Sequence, residues 1–289
     1  MAPPLTFSER IRRRLTLWWG QPPLRGEWLT RRYAWHALRE RYTLRRRDEP
    51  ERSWRCCAFW QRTLLNKWNA REFALRHGCA VPALYWCARL PSAARLRALP
   101  SRFVLRPVWG TARQGVYVVA EGHDLLRGIP FSAAELRRSI LRSGRLAWTL
   151  PLLAEECLCP GGPPRLPMEY KCHTFGDRVA AVEAIERTGV STARQRYYTA
   201  DWRPFADPMS TALPQAQPSD PPCGLEEMIE SAVRLGSAVG TYLRVDFLAT
   251  ERGCVFNEFS STPGAGAGFT AYCDELFGAL WQEKLPLAT

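Results

Sequence analysis

The chain has 289 residues, a formal net charge of +12 and 46% hydrophobic residues, which is enough for one large domain or two to three small ones with a proper core. Its ten cysteines form no CxxC pair and no Cys/His zinc spacing, and no apolar run is long enough to span a bilayer. These features argue against a zinc protein and a membrane-spanning protein. Since the sequence also lacks a secretory signal pattern, we expect a cytoplasmic protein with reduced thiols.

The first 65 residues predict a basic helical region in which arginines are interleaved with tryptophan and tyrosine. Such a stretch is able to bind nucleic acid, an anionic membrane surface or an acidic substrate. A solvated helical face is the simplest interpretation, and we favour it over nucleic-acid binding. Peripheral contact with a membrane surface and docking of an acidic substrate stay open.

Short-range patterns predict a series of helices and strands in the middle of the chain. A helix over 66–77 is ended by Gly78, which provides a left-handed cap. A capping box that begins at Ser132 opens a second helix, which runs to about residue 142. Alternation predicts strands, and glycine-bounded or proline-rich stretches predict loops. The strands lie over 81–86, 102–107 and 116–120 and in a hairpin over 168–186, and the loops lie over 110–115, 159–167 and 203–224.

The last third of the chain begins with an amphipathic helix. Apolar residues recur at three- and four-residue spacing from Leu225 to Val239, which predicts a helix that leads into the next strand. The segment 242–260 then predicts a β-hairpin that turns at 250–253. If the turn closes over those residues, positions 246 and 258 lie nearly opposite each other.

This hairpin carries charges where a core strand would carry apolar residues. Alternation places Arg244 and Asp246 on one face of the first strand, and Glu258 and Ser260 on one face of the second. Two carboxylates and an arginine on one face suit a divalent cation that bridges phosphate oxygens, because Mg²⁺ takes a few carboxylates and leaves other positions to substrate and water. A structural salt bridge among Arg244, Asp246 and Glu258 is the alternative.

The order of these motifs resembles the ATP-grasp superfamily and, within it, the TupA-like ATP-grasp proteins, which are associated with teichuronopeptide and other cell-surface polymers. The motifs are NKWNAREF, FVLRP, the glycine loop 110–115, the acidic pair in LLAEECL, the EYK strand, RVDF, and NEFSSTPG. The resemblance implies an α+β fold in which two α+β lobes grip ATP between antiparallel sheets. A basic helical region over 1–100 would precede a small lobe over 101–157 with the glycine loop and a large lobe over 158–289 with the metal site.

The resemblance also implies roles for individual residues. Lys67 and Arg106 would contact the phosphates, and Arg106 stands where the family usually has a lysine. The segment around Leu158 would bind adenine, and Glu169 would bind the ribose. Nine residues would contact ATP: Lys67, Arg106, Gly110, Thr111, Gly115, Glu155, Glu156, Leu158 and Glu169. The catalytic residues would be Lys171, Arg187 and Arg244. Mg²⁺ would be held by Asp246, Glu258 and Ser260, the last where many relatives have an asparagine.

We therefore predict an ATP- and Mg²⁺-dependent ligase that joins a carboxylate substrate to an amine acceptor through an acyl phosphate. The resemblance suggests biosynthesis of a cell-surface polymer or a peptide-like metabolite as its setting. Two alternatives stay open. One is a kinase of the same fold that phosphorylates a hydroxyl, and the other is a non-catalytic basic adaptor that binds an anionic polymer through residues 1–60.

Overall fold

The computed structural model describes residues 43–56, 60–89, 91–110, 113–142, 151–160 and 165–284. Residues 1–42 of the predicted basic helical region, and Thr111 of the predicted glycine loop, lie outside the described residues. Within the described ranges, no helix is both long enough and apolar enough to cross a membrane.

The strands form two sheets, and neighbouring strands run antiparallel in both. The first sheet has the order β1-β6-β2-β3-β4-β5 and the second has the order β11-β10-β7-β8-β9. The strands of the first sheet are β1 (Leu84–Ala88), β2 (Arg102–Pro107), β3 (Tyr117–Ala120), β4 (His123–Asp124), β5 (Ile129–Pro130) and β6 (Leu152–Glu156). Those of the second are β7 (Glu169–Phe175), β8 (Arg178–Arg187), β9 (Ala193–Tyr198), β10 (Tyr242–Thr250) and β11 (Gly253–Ser260).

Six α-helices and two short 3-10 helices accompany the sheets in the described residues. The α-helices are α1 (Glu51–Trp54), α2 (Lys67–Arg76), α3 (Ala93–Arg97), α4 (Ala133–Arg142), α5 (Leu225–Val239) and α6 (Ala271–Lys284), and the 3-10 helices are Trp60–Leu65 and Pro263–Gly266. The bounds of α5 agree with the predicted amphipathic helix. The start of α2 is set by Asn66, whose side chain accepts a hydrogen bond from the Trp68 backbone N–H at 2.9 Å.

The second sheet has two chemically different faces. Val245 and Phe247 belong to an apolar core that includes residues of α5 and α2. On the opposite face, the half nearest α6 is also apolar, because Phe175 and Tyr242 pack there with Phe277. The other half of that face carries charged side chains. The candidate site therefore occupies only the part of this face that the helices leave uncovered.

The predicted hairpin register is confirmed, since Asp246 pairs with Glu258. A β-bulge produces this register. From Thr250 opposite Gly253 to Phe247 opposite Phe256 the pairing is regular, and it then shifts by one residue, so that Asn257 is the extra residue. Bulges turn side chains out of the regular alternation and are common near active sites. Without this one, Asn257 and not Glu258 would face Asp246.

Some strands were not predicted. The short strands β4 and β5 have two residues each, too few to show alternation. Strand β9 reads ARQRYY, a polar sequence without a clear apolar face, and it lies at the edge of its sheet beside β8. Its position is set by tertiary pairing, and Gln195 also bridges to Gln215 in the proline-rich loop.

Candidate functional site

Arg244 and Asp246 form a buried two-pronged ion pair on the charged face. Arg244 Nε and Nη2 donate to Oδ1 and Oδ2 of Asp246, each at 2.7 Å. Burial raises the pKa of Asp246 to about 6, and Glu258 adds to the rise, although Arg244 and Lys171 act against it. The pair is thus held in a low-dielectric environment, where an added charge interacts strongly.

Glu258 faces this pair from β11 and keeps a 35% exposed side chain. Its Oε2 lies 3.8 Å from Lys67 Nζ, which also donates to the Gly110 carbonyl oxygen at 3.1 Å. Burial alone would raise the pKa of Glu258, but the surrounding cations, led by Lys67 and Arg106, hold it below its usual value. Lys67 is itself buried, and this lowers its pKa. Glu258 is therefore an ionised carboxylate that remains accessible.

A second charge network lies on β7 and β8. Arg187 Nε donates to Glu169 Oε1 at 2.5 Å. Lys171 Nζ lies 3.9 Å from Oε2 of Glu169 and 3.9 Å from Oε2 of Glu183. Lys171 is also the cross-strand partner of both Glu183 and Asp246, so it stands between the two networks. The ammonium group is not tightly paired at these distances and is able to take another anion.

His173 lies deeper on the same face and does not titrate near neutral pH. Burial lowers its pKa well below the usual value, and Arg244 and Lys171 act in the same direction. Its Nδ1 is 2.9 Å from the hydroxyl of Tyr242, and its ring packs against Phe277. These contacts agree with the structural role that a lone buried histidine usually has.

Arg106 joins the first sheet to the second. Its Nε donates to Glu155 Oε2 at 2.6 Å, and Nη1 donates to Asn257 Oδ1 at 2.8 Å. Nη2 donates to the Asn257 carbonyl oxygen at 3.2 Å. Arg71 Nη1 approaches the other carboxylate oxygen of Glu155 at 3.5 Å. The guanidinium of Arg106 thus sits beside the bulge that aligns Asp246 with Glu258.

The predicted adenine-binding residues lie where the chain leaves the first sheet. Glu155 is buried and belongs to the Arg106 network. Glu156 accepts hydrogen bonds from the Ala83 backbone N–H at 3.0 Å and from Arg252 Nη2 at 2.6 Å. Leu158 is buried in the segment that leads to β7. These contacts tie the segment to both sheets.

The structure brings together most of the predicted site residues, but not all of them. Direct contacts or cross-strand pairs connect Lys67, Gly110, Glu169, Lys171, Arg187, Arg244, Asp246, Glu258 and Ser260. Glu156 contacts Arg252 in the β10–β11 turn, several residues along the hairpin from Asp246. Gly115 has a φ of +71°, which suits a glycine in the loop before β3.

Sequence reasoning missed two residues that the structure places at this site. Glu183 lies within 4.0 Å of both Lys171 and His173, and strand alternation opposite Lys171 is the signal that identifies it. Arg113 lies in the predicted glycine loop with a φ of +60°. Its Nη2 donates to the Val190 carbonyl oxygen at 3.3 Å, whereas its buried Nε has no hydrogen-bond partner among the described residues. Nothing in local sequence separates Arg113 from the chain's many other arginines.

The donor set fits a hard divalent cation only in part. In the described residues, no group of three or more His, Cys, Asp or Glu side chains is arranged as a complete metal site. Asp246 and Glu258 nevertheless face each other across β10 and β11, and Ser260 follows on the same face. Mg²⁺ is commonly bound by one or two carboxylates together with phosphate oxygens and water. The pair therefore fits Mg²⁺ that arrives with a phosphate ligand.

Comparison with known families identifies the class of protein. A model of the family described as "TupA-like ATPgrasp" matches residues 92–282, about two thirds of the chain. The chain therefore belongs to the TupA-like ATP-grasp family, and its fold is the ATP-grasp fold of the α+β class. No curated protein matches the chain.

Several solved structures are similar to this chain at low sequence identity. One is the ATP-grasp ligase PsnB complexed with a phosphomimetic variant of minimal precursor, Mg and ADP (16% identity, 75% of this chain, 58% of that chain, TM-score 0.42). Another is the D-alanine–D-alanine ligase from Bacillus anthracis complexed with ATP (14% identity, 76% of this chain, 65% of that chain, TM-score 0.48). A third is the D-alanine–D-alanine ligase from Helicobacter pylori (17% identity, 79% of this chain, 61% of that chain, TM-score 0.48). The chain spans less than two thirds of the length of each of these proteins.

Proposed function

We propose that this protein is an ATP- and Mg²⁺-dependent carboxylate–amine ligase. The observation that carries the proposal is the opposed pair of Asp246 and Glu258, with Lys67, Lys171 and Arg244 close around it. A triphosphate needs this combination of metal-binding oxygens and fixed cations. Membership of the ATP-grasp family supports the same assignment.

The cations would bind and orient the triphosphate. Lys67, Lys171 and Arg187 each lie beside a carboxylate that leaves some of their hydrogen-bonding capacity unused. Arg244 would meet the phosphoryl group in transfer. Phosphoryl transfer depends chiefly on positioning and charge neutralisation, and this suits a site in which we assign no nucleophilic side chain. Arg106 would support the site through Asn257, and its guanidinium would add positive charge for the phosphates.

The nucleotide would lie between the two sheets. Gly110, Thr111 and Gly115 belong to the loop whose backbone N–H groups would cover the phosphates. The backbone around Leu158 would read the adenine edge, beside the carboxylates of Glu155 and Glu156. Glu169 would accept hydrogen bonds from the ribose hydroxyls while Arg187 keeps its carboxylate in place.

Asp246, Glu258 and Ser260 would hold Mg²⁺. When bound, the metal would neutralise phosphate charge and stabilise the leaving group. For Asp246 to ligate, one of its oxygens must be shared with or released by Arg244, which now donates to both. Arg244 would then be free to contact a phosphate oxygen, so ligand binding and arginine release would be coupled.

The reaction would take place in two steps. A substrate carboxylate attacks the γ-phosphorus, the bond to the β,γ-bridging oxygen breaks, and ADP leaves as the acyl phosphate forms, while Lys67, Lys171 and Arg244 hold the triphosphate in line. The amine acceptor then attacks the acyl carbon, phosphate leaves, and the amine proton passes to solvent or to a nearby carboxylate. The loop 262–268, which contains three glycines, would lie near the acceptor. We assign the donor and acceptor to assembly of a cell-surface polymer or a peptide-like metabolite.

Hydroxylamine trapping tests the ligase assignment. The protein is incubated with ATP, MgCl₂, hydroxylamine and a panel of amino acids and short acidic peptides, and hydroxamate and ADP are measured. A ligase releases ADP and yields a hydroxamate with a competent carboxylate, and Glu258→Gln abolishes both. Phosphorylation of a hydroxyl without any hydroxamate would indicate the kinase instead. Salt-sensitive binding of an anionic polymer without ADP release would indicate the adaptor.

A further inference from the structure

Two cysteines flank the position at which the chain leaves the first sheet for the second. Strand β6 ends at Glu156, and Cys157, Leu158 and Cys159 follow directly. The Sγ atoms of Cys157 and Cys159 lie 2.8 Å apart. A disulfide bond is about 2.05 Å long, so these sulfurs need to approach by less than about 1 Å to form one.

The contact between the two thiols affects them differently, although Arg102 acts in the same direction on both. The hydrogen bond with Cys159 lowers the pKa of the Cys157 thiol, and Arg102 acts in the same direction. The same contact raises the pKa of the Cys159 thiol. Since the thiolate is the reactive form, we assign Cys157 as the first nucleophile of the pair, and the Cys159→Ser variant below tests this assignment.

A packing role alone does not account for this arrangement. Buried cysteines usually act as small apolar side chains, and Cys79 and Cys172 do so in the core beneath α5. Cys157 and Cys159 belong to none of the apolar clusters formed by the described residues, and both are partly exposed. They are therefore accessible to a small reagent while their sulfurs already face each other.

We propose that Cys157 and Cys159 form a redox-active dithiol site whose partner is a small-molecule disulfide. In the first step the Cys157 thiolate attacks one sulfur of the disulfide, forms a mixed disulfide and releases one small thiol. In the second step Cys159 loses its proton to solvent, attacks the Cys157 sulfur and releases the second small thiol. Two protein thiols are oxidised and one disulfide is reduced, so the exchange is balanced.

Closing this bond would constrain the segment that links the sheets. The resulting ring contains Leu158, whose backbone the proposed function assigns to adenine, so this consequence rests on that function. We expect the oxidised protein to bind ATP about tenfold more weakly than the reduced protein, a coupling of ordinary size. Reduction with dithiothreitol would restore the affinity.

Peptide mass spectrometry tests the site itself. The full chain is equilibrated with oxidised and reduced glutathione at graded ratios, acid-quenched, alkylated and digested with trypsin. Cleavage after Arg145 and Arg165 gives a peptide that contains Cys157 and Cys159 and no other cysteine. We expect this peptide to lose two hydrogen atoms and to escape alkylation. Cys159→Ser should instead trap a glutathione adduct on Cys157.

Modification of the exposed Cys56 provides an internal control, because it shows that the glutathione ratio is oxidising enough to react with an exposed thiol. If the 146–165 peptide remains doubly alkylated at ratios that modify Cys56, the proposal is overturned. The proposal would also be overturned if Cys159→Ser gave no glutathione adduct on Cys157.

Calorimetry with ATP on reduced and oxidised protein tests the consequence for binding. The Cys157→Ser variant keeps the other thiols, and oxidised glutathione should not change its affinity for ATP. Equal affinities of the reduced and oxidised wild type, with the disulfide formed, would refute the coupling to ATP. A reduced wild type that binds no ATP would contradict the proposed function, whereas the peptide mass would still decide the dithiol site.

Discussion

Asp246 and Glu258 stand directly opposite each other because Asn257 is bulged out of β11. The bulge also aims Asn257 at Arg106, which belongs to the first sheet. One extra residue therefore aligns the two candidate metal ligands and anchors them to the neighbouring sheet. The geometry of the site depends in this way on a contact between the sheets.

Breaking the Arg106 network should destabilise the fold. Arg106 and Glu155 are both buried, so Arg106→Ala leaves a buried carboxylate with only the more distant Arg71. Loss of one partner of a buried pair typically costs about 3–5 kcal/mol. Urea unfolding should show a loss of this order, while Arg46→Ala, which removes an exposed pair with Asp48, should change stability by less than about 1 kcal/mol. Equal effects of the two variants would refute the anchoring role.

The raised pKa of Asp246 predicts a pH-dependent contribution to stability. Its pKa is about 6 in the folded protein and near 4 in an unfolded chain. The folded state therefore binds an extra proton between these values. The stabilisation from this group is fully present below about pH 4 and is lost as the pH rises through about 6.

Comparison with Asp246→Asn isolates this effect, because asparagine does not titrate. From pH 7 to pH 4.5 we expect the wild type to gain on the order of 2 kcal/mol of unfolding free energy relative to the variant. Urea unfolding at several pH values measures the difference. Parallel stability curves for the two proteins, or a gain in the opposite direction, would rule out the raised pKa.

Arg113 should contribute to nucleotide affinity. Its Nε is buried without a partner among the described residues, and the charges of Arg187, Glu169 and Glu258 act on it. A phosphate group would satisfy this donor. Glycine readily adopts the positive φ at position 113, so Arg113→Gly should fold normally. The substitution removes the guanidinium, so we expect ATP binding to weaken about tenfold.

Two further variants control this measurement by calorimetry. Arg113→Lys keeps the charge but not the fork geometry and should give an intermediate affinity. Arg203→Ala removes an exposed arginine and should leave affinity unchanged. If Arg113→Gly bound ATP with wild-type affinity, Arg113 would not belong to the nucleotide site.

A close helix–sheet approach predicts the effect of a single methyl group. Gly236 of α5 lies so near the turn between β7 and β8 that a Cβ atom would be 2.3 Å from the Gly176 carbonyl oxygen. Gly236→Ala should therefore destabilise the protein by at least about 1–3 kcal/mol, although alanine favours helices. Thermal unfolding with Ser237→Ala as the exposed control measures this. A neutral or stabilising Gly236→Ala would contradict the close approach.

Parts of the fold with strong local periodicity were predictable from the sequence. Helix α5 and the 242–260 hairpin follow from apolar spacing and from a turn that ends at Gly253. Strand β9 was missed because polar residues fill it and only pairing with β8 defines it. The bulge at Asn257 was missed because no local pattern distinguishes it from a regular strand position.

The candidate site was predictable as a set of residue types, but not as a set of contacts. Alternation placed Arg244, Asp246 and Glu258 on one face, and the structure confirms their shared face. The contact of Arg106 with Glu155 depends on pairing between β2 and β6, which are distant in sequence, and its contact with Asn257 depends on packing between the two sheets. The proximity of the Cys157 and Cys159 sulfurs likewise depends on local backbone geometry that residue spacing alone does not give.

Calorimetric titration of ATP, with MgCl₂ and separately with a chelator, tests the central claim most directly. Wild type, Asp246→Asn and Asp201→Asn are compared, the last because Asp201 forms an exposed ion pair elsewhere. We predict Mg²⁺-dependent binding in the wild type and Asp201→Asn, and a loss of at least about tenfold in Asp246→Asn. Wild-type protein that binds no ATP, or binds it equally without Mg²⁺, would contradict the assignment of Asp246 and Glu258 as a metal–nucleotide site.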